Sequence, residues 1–282
     1  MPSFEPIGIY SCSQTYRYEA PRQGIFAGNS GVIRLRPGCG FEEALSDLSG
    51  FGRIWILFEF HLNAVWRPKV RPPVSPGGRR IGVFATRSPH RPNRIGLSCV
   101  ELEKVEGLNV FVRGSDLLDR TPVLDIKPYI PKADSFPDSR TGWLEQVAVQ
   151  EWTVRPDASA LVQMAFIRDL SGLDLENFCR IQLSLDPLSS ERKRLCRLEN
   201  GRHLIACRTW RILFSADEAA HAVEVHGVFS HYSADELLPG AEDKYGDKEV
   251  HRLFLKKFGR ESGGMEFCGR SVQLGRMHPS HG

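Results

Sequence analysis

The segment Gly82 to Ser98, GVFATRSPHRPNRIGLS, sets Arg87, Arg91 and Asn93 beside Pro89 and Pro92. Proline fixes φ, so such a turn has little conformational entropy left to lose when it binds something. Guanidinium groups held this way suit a carboxylate or a phosphate, to which they donate paired hydrogen bonds. The plainer reading is a rigid connector with solvated arginines. Three further segments carry residues with chemical potential. Pro21-Arg22-Gln23-Gly24 puts a guanidinium beside an amide, ahead of the turn Gly28-Asn29-Ser30-Gly31, either for a polar ligand edge or as ordinary surface loop. His61 ends FEFH, where an imidazole either meets a ligand or satisfies a backbone carbonyl. In Asp116 to Pro131, DLLDRTPVLDIKPYIP, Asp119 and Thr121 flank a tight turn before Pro122, and Asp125, Lys127 and Tyr129 follow on an extended run. A carboxylate, an ammonium and a phenol close together can orient and deprotonate an amine. Alternatively, Asp125 and Lys127 only pair with each other at the surface, which contributes little.

The charge around these residues is local. From Phe60 to Val100 there is no Asp or Glu but eight Lys or Arg: Arg67, Lys69, Arg71, Arg79, Arg80, Arg87, Arg91 and Arg94. The whole chain of 282 residues carries 37 basic and 34 acidic side chains, so this is not bulk composition. A positive field confined to one stretch points to a bound polyanion or an anionic small molecule.

The elements that must position these residues are mostly strands. Ile7–Cys12, Gly31–Leu35, Ile54–His61, Ile81–Arg87, Ser98–Lys104 and Val110–Arg113 are short β-prone runs, several of them parted by turn residues such as Pro76-Gly77-Gly78. Both faces of Ile54–His61 are largely apolar, which predicts a central strand. Arg87 is expected to end the strand that carries Ile81, Val83 and Ala85. One helix, FEEALSDLSGF, interrupts them. Many strands with few helices predict a barrel or sandwich rather than a doubly wound sheet. The composition shifts at PKADSFPDSRTG to a loop, and a strand over Gln146–Val154 is expected after it. Asp157 and Asp174 then stand where they would cap two helices. HLIACRTWRILF and HAVEVHGVFSHY read as two further strands. The expected organisation is mainly β: a barrel domain over 1–150, a smaller α+β domain over 151–240, and a basic, loosely ordered tail over 241–282 that includes the amphipathic stretch KEVHRLFLKKF.

Composition narrows the classes. A hydrophobic share of 41% with 25% charged residues is ordinary for a globular protein, and no apolar run approaches a membrane span. The N-terminal residues show no secretory pattern. The seven cysteines form no C-x-x-C pair and the nine histidines are scattered, so reduced thiols, a cytoplasmic location and no metal site are expected. There is no G-x-G-x-x-G after a strand, no P-loop and no G-x-S-x-G elbow, which disfavours a Rossmann cofactor site, a P-loop nucleotide site and an α/β-hydrolase.

PRQG, WILFEFH, WRPKVRPP, GVFATRSPHRPNRIG and TPVLDIKPYIP, in that order and spacing, resemble the TrmO family (also called TsaA-like or YaeB-like) through most of residues 5–145. The second domain is similar to the longer bacterial members, with Asp186-Pro187 and Arg192, Lys193 and Arg194 as a weaker counterpart of a D-P-R-P-x-Y-R-like stretch. The resemblance implies a β-barrel, S-adenosylmethionine as cofactor, N6 of adenosine 37 in the tRNA anticodon loop as target, and a homodimer with the cofactor near its interface. It also implies that Pro21, Arg22, Gln23, His61, Arg87, Leu97, Asp119, Arg120, Thr121 and Pro122 surround the cofactor. Arg22 or Arg87 would hold the methionine carboxylate, and the Asp119 turn would meet the ammonium or ribose hydroxyls. Asp125 and Tyr129 are the candidate acceptors of the N6 proton. Arg67, Lys69, Arg71, Arg79, Arg80, Arg91 and Arg94 would grip loop phosphates, with the salt dependence that implies. In this chain Arg120 stands where the family has Gly, and Arg94 where it often has a second Pro. The first change is expected to disfavour a left-handed backbone, and the second to leave a less rigid, more basic loop. Two rival readings are a non-catalytic RNA-binding barrel and a methyltransferase for a small molecule.

Overall fold

The computed structural model describes residues 4–19, 29–147, 150–189 and 195–259. Its first half is built on β1 (Gly8–Ser11), β2 (Ser30–Leu35), the single-turn helix α1 (Phe41–Ala44) and β3 (Arg53–Glu59). A small ribbon follows, β4 (Lys69–Val70) with β5 (Ile81–Gly82), and then β6 (Ile95–Glu106), β7 (Asn109–Arg113) and β8 (Pro122–Pro128). Six strands close into a barrel in the order β1-β2-β7-β6-β3-β8. The central position of β3 holds: it pairs with β6 on one side and β8 on the other. Ile54, Ile56 and Phe58 point inward, where they meet Ile33, Val100, Val110, Val112 and Val123 in a filled core. Two glycines are required by close approach. A Cβ on Gly31 would strike the Tyr10 ring, and one on Gly96 would strike the Phe58 ring paired opposite it. The barrel is therefore closed and full, and any ligand must bind at its mouth or on its outside.

The second unit follows the short helix α2 (Pro131–Asp134). It holds β9 (Thr153–Pro156), α3 (Ala158–Ser171), α4 (Leu175–Leu183), β10 (Leu195–Arg197), β11 (His203–Cys207), β12 (Trp210–Asp217), β13 (Ala222–Ser230) and α5 (Lys248–Phe258). Strands β10 to β13 form an antiparallel sheet, and β9 adds to β13 in parallel. The caps are as the residue types require: the Asp157 and Asp174 carboxylates accept from the backbone N–H groups of Ala160 and Asn177 at 2.8 and 2.9 Å. The whole is mainly β, a barrel joined to a smaller α+β unit, with two separate apolar cores.

Several expectations are corrected. Residues 241–259 are not a loose tail. Phe254 is buried in the second core, and His251 is fully buried, stacked on Trp210 and bonded to Ser230 Oγ at 2.7 Å. The apolar stripe of α5 finds its partners in distant strands. HLIACRTWRILF is two strands, turned at Arg208, whose φ is 50°. Gln146–Val154 is not one strand: a 3-10 turn covers Gly142–Gln146, and β9 begins only at Thr153. Arg87 does not end a strand, because β5 stops at Gly82 and a 3-10 turn, Val83–Ala85, takes over. Strand β8 lies in the run expected to be merely extended. Its Pro122 opens the strand, a position where a missing N–H costs little.

The two units are joined by polar contacts. Arg208 Nε donates to Glu19 Oε1 at 2.7 Å and its Nη2 to Glu19 Oε2 at 3.2 Å, with side-chain exposures of only 11% and 3%. Glu19 Oε2 also accepts from the N–H of Thr15 at 2.8 Å. Asn177 of α4 donates to Asn29, and Gln182 donates to the Tyr18 carbonyl at 3.0 Å. Removing one partner of a buried ion pair leaves the other desolvated and uncompensated. Glu19→Gln is therefore expected to lower the unfolding free energy by about 3–5 kcal/mol in urea denaturation. Glu5→Gln, which breaks an exposed pair with Arg36, should change it by less than about 1 kcal/mol.

Candidate functional site

Between the barrel mouth and the second unit lies a cleft of about 1820 Å³. A pocket for one drug-sized ligand is typically about 300–1,000 Å³, so this space admits a cofactor and part of a larger substrate. The barrel contributes the end of β3 through Asn63, the basic ribbon and its following turn, and Asp116 to Thr121. The second unit contributes Trp152 and its neighbours with Arg180 and Ile181 of α4. Seven cationic side chains line the cleft (Arg17, Arg67, Lys69, Arg71, Arg80, Arg87 and Arg180) against three carboxylates, Glu59, Asp116 and Glu151. Low-dielectric walls concentrate the resulting positive field on an anionic ligand.

The proline-containing turn is stiff, and the structure shows why. Arg91 folds back into it: Nη1 donates to the carbonyls of Val83 at 3.2 Å and Thr86 at 2.8 Å. Thr86 Oγ1 donates to the Val83 carbonyl at 2.9 Å, and Arg67 N–H donates to the His90 carbonyl at 3.1 Å. Arg91 is thus a brace for the turn rather than a cation presented outward. Arg94 is also engaged, donating to Glu59 at 2.8 Å. Its φ of 50° is one that proline cannot adopt, so the sequence change at this position alters the backbone as well as the charge. Arg120 likewise takes φ 63°, so the left-handed turn survives without glycine.

That turn is tied down from several sides. The N–H of Asp119 donates to the Gln14 carbonyl at 2.7 Å, and Asp119 Oδ1 accepts from the N–H of Cys12 at 3.1 Å. Thr121 Oγ1 donates to the Leu118 carbonyl at 2.7 Å and lies 3.5 Å from His61 Nδ1. Burial pushes the His61 pKa down, so the ring is neutral at pH 7 and its nitrogens offer one donor and one acceptor. Asp116, which carries no signal in the sequence, is drawn in from the segment after β7. Burial pushes its carboxyl above the usual carboxylate range, while a hydrogen bond from Ser98 Oγ and the charge of Arg87 pull the other way.

The residues expected to surround one ligand fall into two groups. His61, Arg87 and Thr121 line the cleft, with Asp119 and Arg120 in the turn that positions Thr121. Leu97, Asp125 and Tyr129 do not line it. Leu57 sits on β3 between Leu97 and Asp125, so these lie side by side on the outer barrel wall, where Leu97 is 54% exposed. Asp125 accepts from Lys127 Nζ there at 2.8 Å, and Tyr129 packs edge-on against Trp55. Pro122 opens β8 beside this wall. Pro21, Arg22 and Gln23, and Arg192, Lys193 and Arg194 of the second unit, lie outside the described residues. Of the cations expected to grip phosphates, Arg67, Lys69, Arg71 and Arg80 line the cleft, and Arg79 donates to Gln146 Oε1 at 3.5 Å. Asp116, Arg17, Arg180 and Trp152 also line the cleft, and no motif in the sequence singles them out for it.

Among the described residues no group of three or more His, Cys, Asp or Glu is placed to hold a metal ion, and no helix is long and apolar enough to cross a membrane. The neutral state assigned to His61 is measurable. Its ring resonances should titrate below the ordinary histidine midpoint of about 6.5 in an NMR pH series; a midpoint at or above that value would contradict the assignment.

Comparison with known proteins places the chain. Residues 9–135 match the tRNA-methyltransferase O N-terminal domain. The chain is 37% identical over 197 residues to the tRNA (adenine(37)-N6)-methyltransferase of Escherichia coli K12, covering 67% of this chain and 83% of that one. It is 46% identical over 143 residues to a Pseudomonas aeruginosa protein described as an S-adenosylmethionine-dependent methyltransferase, covering 50% of this chain and 62% of that one. The crystal structure of TrmO from Pseudomonas aeruginosa superposes with a TM-score of 0.60 at 29% identity, over 81% of this chain and 98% of that one.

Proposed function

We propose that this chain, which belongs to the TrmO family of tRNA methyltransferases, transfers a methyl group from S-adenosylmethionine to N6 of adenosine 37 in tRNA, with threonylcarbamoyladenosine as the form modified. The observation that carries the reading is the cleft: a cationic, two-walled space at the mouth of a filled barrel, too large for a cofactor alone. The residues present suit the cofactor. Arg87 offers a guanidinium to the methionine carboxylate, Thr121 and neutral His61 offer hydrogen bonds to ribose or adenine, and Phe58, Leu117 and Leu118 give the sulfonium an apolar surround. When bound, S-adenosylmethionine supplies an activated methyl and its own leaving group, so the protein's task is position and exclusion of water.

The RNA side is argued from the same walls. Lys69, Arg67, Arg80 and Arg180 meet loop phosphates. Phe84, which lines the cleft and is 77% exposed, offers a surface on which an unstacked base can lie. Because Leu97, Asp125 and Tyr129 share an outer face away from the cleft, a cofactor that touches both groups requires a second copy docked on that wall. A homodimer acting in the cytoplasm is the arrangement proposed.

The test is methyl transfer to bulk tRNA, read by nucleoside mass spectrometry. The expected product is an N6-methylated nucleoside from position 37 that requires S-adenosylmethionine. Transfer only to small metabolites, or to nothing, would overturn the proposal. Arg87→Ala should weaken S-adenosylmethionine binding at least tenfold in calorimetry. Lys69→Ala should reduce the slope of log affinity for tRNA against log salt by about 1, while Arg91→Ala, which removes an internal brace, should leave that slope near its wild-type value.

A further inference from the structure

We infer that Asp116 is the group that takes the proton from N6 as the methyl arrives, an inference that rests on the methyltransferase reading above. Asp116 faces the cleft where the barrel mouth meets it, in reach of the field of Arg87. It follows β7 and Ser115, whose hydroxyl accepts from the N–H of Leu117 at 3.1 Å and so shapes the chain around it. The hydrogen bond from Ser98, buried on the inner face of β6, fixes one carboxylate oxygen against the barrel wall. No ion pair links Asp116 to a cation among the described residues, although seven cations share the cleft. Asp125, by contrast, is paired with Lys127 on the outer wall, and Glu59 with Arg94. Asp116 is thus a desolvated carboxylate at the cleft with no cation neutralising it directly, which is the condition of a proton acceptor rather than of a structural pair. Burial raises its basicity in the same sense. The charged and titratable groups that act on it from the elements around it are Arg87 from the basic segment and Tyr10 from β1, with the Ser98 hydroxyl from β6.

The step balances without a further reactant. The N6–CH₃ bond forms as the S–CH₃ bond breaks, the electron pair of that bond stays on sulfur as a neutral thioether, and the N6 proton passes to a carboxylate oxygen of Asp116 and from there to water at the cleft mouth. The N6 lone pair is delocalised into the ring, so relieving the nitrogen of its proton as it is attacked is worth more here than for an aliphatic amine.

Asp116→Asn keeps the size of the side chain and an oxygen for Ser98 to donate to. It is expected to lower the single-turnover rate at saturating S-adenosylmethionine and tRNA by 100-fold or more, with both dissociation constants within threefold of wild type. A single-turnover rate within threefold of wild type would overturn the inference. So would a loss confined to S-adenosylmethionine affinity, which would make Asp116 a ligand of the cofactor ammonium or a support for Arg87. Wild-type transfer measured alongside separates the two claims, since its absence defeats the activity itself. A readout independent of turnover, and of whether that variant folds, is isotope-edited infrared titration of the carboxyls in wild type and Ser98→Ala. Wild type should show one carboxyl titrating above the ordinary Asp range, and Ser98→Ala, by removing a donor to the ionised form, should move it higher. Absence of such a carboxyl, or no movement in Ser98→Ala, would contradict the assignment.

Discussion

The cleft exists because a charged pair is held almost out of water. Burying Glu19 and Arg208 costs several kcal/mol per ion, and the cost is offset only when geometry and extra hydrogen bonds are good. Both conditions are met: the pair is two-pronged, and Glu19 also accepts from the backbone of the segment that carries it. Arg208 reaches it from a left-handed residue at the β11–β12 turn, so the sharpest hairpin of the second unit is anchored to the arm that follows β1. An apolar interface could slide. A buried two-pronged pair fixes register, and with the contacts of Asn29 and Tyr18 to α4 it sets the distance between the two walls.

Given those walls, the filled barrel decides the rest. Phe58 over Gly96 and Tyr10 over Gly31 leave no room inside, so the barrel serves as a rigid rim. Rim segments are then fixed one by one: the proline-containing turn by Arg91 donating into its own carbonyls, the Asp119 turn by bonds to the β1 arm, and Asp116 by Ser98. Part of the positive charge is spent on this bracing. What remains lines the space between the units, and ordered side chains there lose little entropy on meeting a ligand.

How much of this was legible from the sequence depends on range. Apolar residues on both faces of RIWILFE mark a central strand, and β6 and β8 pair with it on either side. Asp157 and Asp174 revealed helix starts, because capping is settled within three residues. His61, Arg87 and Thr121, which the family resemblance sets around a cofactor, line the cleft. Helix α5 reads as a tail from the sequence, since nothing local tells that Phe254 and His251 will find Trp210. Arg91 and Arg94 read as phosphate-gripping cations for a related reason: an arginine in a basic run looks available until its carbonyl or carboxylate partner is in view. Asp116 carries no local sign because its partner Ser98 lies on another strand, whereas Asp125 stands out through the nearby Lys127, with which it simply pairs.

Where the two ligands sit decides whether the cleft is the site of methyl transfer. A crystal structure of the chain with S-adenosylhomocysteine and an anticodon stem-loop tests this most directly. The expected complex has the amino-acid end of the nucleoside at Arg87, the base of residue 37 turned toward Asp116, and phosphates along Lys69 and Arg180. A nucleoside and RNA bound on surfaces remote from the space between the barrel mouth and α4, with that space filled by solvent, would contradict it.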